Sequence, residues 1–294
     1  MKVGLILHGK KPGQKEIEAS FINAFEEDER VVKYTEYPHH AEEIATSFSN
    51  HGIELIVVSG GDGSLNDVVN GVLRSNNPAV AISVWPTGTG NDFVKTLPAF
   101  MTFDAMRRGF FNNEFAKVDV GKISLSNQTK YFINVTDVGL GGCVAKDMMK
   151  SKRLLGSFLT YQLYIIKNLL TYKKKKIKFQ IDEHRGETTV MNFVVANSPY
   201  FGSGLGISPD SDPTDGKFEV VIIGEINLFH YLRFIPKVKR KERIHYHKIH
   251  YLSGKKIGIE AESPMPIDMD GEFIGFTPFT IELTNTVNVL FDSL

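Results

Sequence analysis

Two rhythms of apolar and polar positions divide this chain. In the first hundred residues, short unbroken apolar runs at 3–7, 31–35, 54–58 and 80–85 read as buried strands. Between them, apolar residues recur three and four apart over 14–27, 39–50 and 65–73, which predicts amphipathic helices. Strand alternating with helix implies a parallel sheet with helices on its faces. Residues 91–95 and 103–108 are expected to form short helices that close this domain. From about Phe115 the rhythm changes. Short strands are predicted at 116–124, 131–134, 177–181, 188–196, 218–223, 255–260, 279–283 and 287–291, the spacing of an antiparallel sandwich. A broad apolar stripe predicts a helix over 154–172, and a second helix is expected over 228–236.

The fold class this implies is α/β followed by all-β. The boundaries are a parallel-sheet domain over 1–114 and a sandwich over 115–284, with a shared cleft between them.

Two glycine-rich turns stand where neighbouring parallel strands end. One is Ser59-Gly60-Gly61-Asp62-Gly63-Ser64-Leu65-Asn66-Asp67, the other Pro86-Thr87-Gly88-Thr89-Gly90-Asn91-Asp92-Phe93. Ligands of open parallel sheets bind beyond the carboxyl ends of the strands, so both turns are expected to face one crevice. Glycine lets backbone N–H groups approach a polyphosphate, and a helix N-terminus favours an anion. Neither turn is a Walker A loop or a dinucleotide fingerprint. Read singly, each also suits an ordinary strand-to-helix connection.

These turns, with other segments, resemble the diacylglycerol kinase catalytic domain superfamily, which includes NAD kinases, sphingosine kinases and ceramide kinases. The chain is most similar to its bacterial soluble lipid kinases of the diacylglycerol kinase and YegS type. The matching segments are Thr35 to Ala41, Val118-Asp119-Val120-Gly121, Phe132-Ile133-Asn134 leading to Gly139, Gly202 to Gly206 with Pro209, Asp215-Gly216-Lys217-Phe218, and Asp270-Gly271-Glu272. Three positions depart from the pattern. The first loop reads His8-Gly9-Lys10-Lys11-Pro12-Gly13 in place of an Asn-Pro-x-x-Gly stretch, Ser64 stands for Thr, and Asp67 for Glu.

The resemblance implies an NAD-kinase-like first domain, onto which residues 285–294 return, and an ATP-dependent kinase acting on a hydroxyl of diacylglycerol or a related lipid. It implies that Gly9, Thr35, Gly60, Gly61, Asp62, Gly63, Ser64, Asn66, Gly88, Thr89 and Asn91 bind the nucleotide. It implies that Asp62, Asp92 and Asp119 form the network around a catalytic magnesium, and that Asp212, Asp215 and Lys217 hold a structural one. Glu272 is the expected general base, with Asp62 and Asp270 beside it in the catalytic set. On the residues alone, Asp270-Gly271-Glu272 is a tight turn that also suits a plain hairpin, and Asp212 to Gly216 a solvated turn. Two alternatives stay open: an NAD kinase-like enzyme, and a nucleotide- or lipid-binding regulator without turnover.

Charge narrows the partners. The 34 basic and 34 acidic residues balance, which argues against a nucleic-acid binder. One cysteine, Cys143, excludes an internal disulfide. No signal peptide opens the sequence and no apolar stretch is long enough to span a bilayer, so a cytoplasmic protein touching the inner membrane surface is expected. Basic residues cluster at 173–176 and 233–256, which suits either a solvated face or anionic headgroups. A homodimer is left open.

Overall fold

The structure is a computed structural model that describes residues 1–149 and 157–293. The chain divides into two units, Met1–Val118 with Thr286–Leu294, and Asp119–Asn285.

The first unit runs β1 (Lys2–His8), α1 (Gln14–Ala24), β2 (Glu29–Thr35), α2 (His40–Asn50), β3 (Leu55–Gly60), α3 (Asp62–Arg74), β4 (Ala81–Pro86) and α4 (Phe103–Phe111). The strands pair in parallel in the order β2-β1-β3-β4, and Asn288 and Val289 near the C-terminus add in parallel beside β4. Every residue of β3 is buried, which is why it reads as an unbroken apolar run. Phe21 of α1, Phe25 just after it, and Phe103 and Met106 of α4 pack with Val3, Leu5, Leu55 and Val57 in one core. Helices α2 and α3 lie in close contact: a Cβ at Gly71 would sit 2.2 Å from the Glu42 carbonyl oxygen. A glycine in mid-helix costs about 1 kcal/mol relative to alanine, and here it permits that approach.

The second unit receives β5 (Phe115–Ser124) from Asp119 onward. There follow β6 (Thr129–Phe132), β7 (Val135–Gly139), α5 (Leu140–Met148), α6 (Ser157–Thr171), β8 (Lys175–Ile181), β9 (His184–Val190), β10 (Asn192–Ala196), the short pair β11 (Tyr200–Phe201) and β12 (Leu205–Gly206), and β13 (Phe218–Ile223). The unit continues with α7 (Leu228–Lys239), β14 (Ile249–Gly254), β15 (Lys256–Ala261), β16 (Pro266–Met269), β17 (Glu272–Phe276) and β18 (Phe279–Leu290), whose end belongs to the first unit. One antiparallel sheet has the order β14-β13-β10-β7-β16-β17. Across from it, β18, β15, β8 and β9 pair in sequence, all antiparallel. Phe179, Ile257 and Ile281 of this second group meet Phe193, Phe218, Val220 and Ile267 of the first in a common core, the arrangement of a β-sandwich.

Several elements differ from expectation. Residues 188–196 are two strands in opposite sheets. β9 pairs with β8 and β10 with β7 and β13, and the chain changes layer at Met191. The strands expected at 279–283 and 287–291 are one, Phe279–Leu290. Only Phe93–Lys95 is helical in the 91–95 segment, as a 3-10 turn, because Asn91 takes a left-handed φ of 48°. In the expected 154–172 helix, Leu154 and Leu155 lie outside the described residues, and the helix is described from Ser157. Among the described residues, no helix is long and apolar enough to cross a membrane.

Candidate active site

In the first unit the two glycine turns meet. Gly60 ends β3 opposite Pro86 at the end of β4, and its carbonyl accepts N–H bonds from Thr87 (2.9 Å) and Gly88 (3.0 Å). A Cβ at Gly88 would lie 2.4 Å from the Gly61 Cα and 2.5 Å from Asn91 Oδ1, so only glycine fits between the turns. Asp62 fastens them from the other side: its carboxylate accepts the N–H groups of Asp92 and Phe93, both at 2.9 Å. Ser59 Oγ and Thr87 Oγ1 lie 3.3 Å apart, and Asn91 Nδ2 donates to the Gly88 carbonyl.

Helix α3 begins at Asp62, and the N–H groups of a helix's first turn have no intrahelical acceptor. Those of Gly63 and Ser64 therefore suit an anion. A Cβ at Gly60 would lie 2.4 Å from Ser64 Oγ, so this glycine leaves room for the hydroxyl. Asn66 turns its Oδ1 toward Asn70 Nδ2. Gly9 and Thr35, from the first and second strand ends, are also joined, through the Gly9 N–H to the Thr35 carbonyl at 3.2 Å. Lys11 Nζ reaches the Thr87 carbonyl at 3.4 Å, which brings the altered first loop to the second glycine turn.

The acids of this unit are engaged. Asp92 is nearly buried and its Oδ1 pairs with Lys95 Nζ at 2.6 Å. Asp62 and Asp92 offer the oxygen chemistry of a hard divalent cation. Among the described residues, no group of three His, Cys, Asp or Glu side chains is arranged to hold a metal. A magnesium there would draw most of its ligands from phosphate oxygens and water, the usual habit of that ion.

In the second unit, Asp270 is the centre of a clamp. Its carboxylate accepts the N–H groups of Ile133 (3.1 Å), Asn134 (3.1 Å) and Val135 (2.9 Å). Asp270 itself takes a left-handed φ of 49°, followed by Gly271 at 88°. The carboxylate thus holds three backbone N–H groups and fixes the turn. Glu272 opens β17 beside it with an exposed side chain.

The clamp continues into residues the sequence did not single out. Asn197 Nδ2 donates to the carbonyls of Ile133 and Asp119, both at 2.8 Å, and Ser198 Oγ to Ile133 at 3.2 Å. Their only local signal is a polar pair at the end of a fully buried strand. Asp119 was expected with Asp62 and Asp92. Its Oδ2 accepts the Gly216 N–H at 2.7 Å and its own N–H donates to the Pro213 carbonyl at 2.7 Å, which ties it to the Asp212–Lys217 turn. Burial raises the Asp119 pKa, and the charges of Asp215 and Asp212 add to that rise. Asp212 Oδ1 accepts from Thr214, and Lys217 Nζ lies 3.6 Å from Asp215 and 2.9 Å from Glu219. Asp119, Asp212 and Asp215 are thus three acids at one turn, offset by Lys217.

Asp137 of β7 stands in register with Asp268 on the neighbouring strand β16. Both are buried; Asn192 and the Gly142 N–H only partly offset the burial of Asp137, and the Gly271 N–H that of Asp268. Burial pushes the Asp137 carboxyl up to about 7, and burial together with the Asp137 charge raises Asp268 well above its ordinary range. Gly141 makes room for the Asp137 carboxylate: a Cβ there would sit 2.2 Å from both oxygens.

The same unit holds a narrow apolar cavity of about 100 Å³. It is lined by Val144 of α5, Ile165 of α6, Val221 and Ile223 of β13, and Phe234 and Val238 of α7.

Comparison with known proteins agrees with this architecture. Residues 2–123 match the diacylglycerol kinase catalytic domain, and residues 134–291 match the YegS C-terminal NAD kinase beta sandwich-like domain. The chain belongs to the lipid kinase family that these two domains define. A diacylglycerol kinase of Bacillus subtilis (strain 168) is 28% identical over 228 residues, covering 76% of this chain and 73% of its own. The crystal structure of a diacylglycerol kinase from Bacillus anthracis str. Sterne superposes with a TM-score of 0.73 at 21% identity, covering 99% of this chain and 97% of that one, which shows the shared fold.

Proposed function

We propose that this protein transfers the γ-phosphoryl group of ATP to a hydroxyl of diacylglycerol or a related glycerolipid. The observation that carries the reading is the contact of Gly61 with Gly88, fastened by Asp62, which sets the second glycine turn beside the N-terminus of α3. Phosphoryl transfer is mostly positioning and charge stabilisation. Gly60, Gly61, Gly63 and Ser64 from one turn, and Gly88, Thr89 and Asn91 from the other, receive the triphosphate, with Gly9 and Thr35 at the neighbouring strand ends. Asp62 and Asp92 would hold a magnesium ion, which would neutralise phosphate charge.

Glu272 takes the proton from the lipid hydroxyl as its oxygen bonds to the γ-phosphorus and the bond to ADP breaks. Asp270 fixes the turn that carries Glu272. The Asp212–Lys217 turn, with Asp119, would offer oxygen atoms to a second, structural cation. The apolar cavity takes an acyl chain and leaves the polar head outside, which supports a lipid acceptor over NAD. Such a lipid is met at a membrane surface. The domain boundaries that fit this reading are a nucleotide domain over 1–114 with 285–294, and a lipid domain over 115–284.

The test is label transfer from γ-labelled ATP to a panel of dispersed lipids, with NAD in a parallel reaction. Label in a lipid phosphate is expected. Label in NAD, or ATP binding without transfer to any acceptor, overturns the reading.

A further inference from the structure

Eleven large apolar side chains are strongly exposed among the described residues, and five of them stand on two helices, α6 and α7. Leu159, Leu163 and Leu170 follow one another along α6 at helical spacing, 49%, 52% and 68% exposed, with Lys167 in the same row. Phe229 and Leu232 occupy the first turns of α7 at 67% and 58%. The helices are neighbours, joined by the Tyr231 hydroxyl donating to Gln162 Oε1. Single exposed apolar residues are ordinary on a soluble surface, but a cluster of them marks an interaction site.

Each helix is two-sided. Ile165 of α6 and Phe234 and Val238 of α7 line the apolar cavity, while the leucines and Phe229 face away from it. Charge identifies the partner. From Leu228 to Arg243 the chain carries six basic residues, Arg233, Lys237, Lys239, Arg240, Lys241 and Arg243, against the one acid Glu242. From Ser157 to Lys176 it carries five lysines and no acid. Some of these are paired locally, Arg240 with Glu242 and Lys174 with Glu225, yet the excess stands out in a chain whose formal charge is zero. Exposed apolar side chains bordered by cations complement one surface, the interface of an anionic bilayer. There the apolar groups enter the acyl boundary, and cations near the headgroups strengthen the attachment.

We propose that the outer faces of α6 and α7 are the membrane-docking surface of this protein, with Leu159, Leu163, Phe229 and Leu232 inserted and Arg233 and Lys237 against anionic headgroups. This rests on the lipid kinase reading for its purpose. Docked so, the helices that roof the acyl cavity lie against the bilayer that supplies the acyl chain.

The experiment is co-sedimentation of the full chain with vesicles of phosphatidylglycerol and phosphatidylcholine, compared with phosphatidylcholine alone. The wild type is expected to bind the anionic vesicles and to lose binding as salt rises. Leu163→Ser with Phe229→Ser and Leu232→Ser is expected to bind at least tenfold more weakly. Arg233→Glu with Lys237→Glu is expected to lose the preference for anionic vesicles. Both variants should keep the wild-type melting temperature and the wild-type rate on a short-chain diacylglycerol dispersed without vesicles. Unchanged vesicle binding in the triple variant overturns the proposal. So does a wild type that is dimeric by sedimentation velocity beside a monomeric triple variant, since the face would then pair two copies. Vesicle binding by a wild type that phosphorylates no lipid would sink the kinase reading and leave the docking surface standing.

Discussion

The glycine turns of the first unit and the Asp270 turn of the second both gather backbone N–H groups, and they use them in opposite ways. At the first, N–H groups at the start of α3 and after β4 are brought together by glycine contact. The chain's acids there fasten the turns from the side, through Asp62 to Asp92 and Phe93. At the second, the N–H groups of Ile133, Asn134 and Val135 converge just as closely, but the chain fills the nest with its own anion, Asp270. A nest left to an outside anion is a binding site. A nest closed by an internal carboxylate is a rigid mount, and what it holds steady here is Glu272. The cavity and the docking face add an apolar site that needs neither arrangement.

The largest effect expected from breaking this contrast is at Glu272. Glu272→Gln should lower turnover by about 10² to 10⁴, with ATP affinity and melting temperature unchanged, measured by steady-state kinetics and calorimetry. An exposed side chain that merely decorates a hairpin would give wild-type rates.

Removing the mount should act on stability instead. Asp270→Asn leaves one acceptor oxygen for three N–H donors, and should cost about 2–4 kcal/mol of the second unit's stability. Denaturant unfolding reads this, and turnover should fall with it as the Glu272 turn loosens.

Gly88→Ala tests the open nest. Its Cβ would press on the Gly61 Cα, and overpacking strain of roughly 1–3 kcal/mol should weaken ATP binding about 10- to 100-fold. Titration with a fluorescent ATP analogue measures this, while lipid-vesicle binding should stay at the wild-type level.

The smallest effect is a pH slope. Asp137 and Asp268 hold protons in the folded state that the unfolded chain releases near pH 4. Their contribution is therefore present in acid and is lost as pH rises through about 7, the value to which burial lifts Asp137. Asp268→Asn should match the wild-type melting temperature near pH 4 and exceed it at pH 8. The other titratable groups facing the pair, Cys143, Tyr172, Asp270 and Glu272, stay in place in that variant, so the difference between the two curves isolates the pair.

The first unit was legible because its site is local. Each glycine turn lies within ten residues, its strands are continuous apolar runs, and parallel pairing places consecutive strand ends together. The second unit's site is assembled from Asp119, residues 133–135, Asn197, the Asp212–Gly216 turn and Asp270, brought together only by antiparallel pairing. The link of Asp119 to Gly216 was not legible for that reason. Strand β7 and helix α5 escaped notice because Asp137 interrupts the apolar run, and Gly141 and Gly142 weaken the helical signal. Both glycines are packing requirements: a Cβ at Gly142 would lie 2.0 Å from the Pro266 carbonyl oxygen. The turn at Met191 was missed because β9 and β10 join with no proline or glycine between them.

The central claim is that both glycine turns receive one triphosphate. Amide hydrogen exchange with and without a non-hydrolysable ATP analogue addresses it directly. The account predicts that residues 60–66 and 87–92 become protected together, at the same analogue concentration. Saturation with the analogue that protects one of these segments and leaves the other unchanged would contradict it.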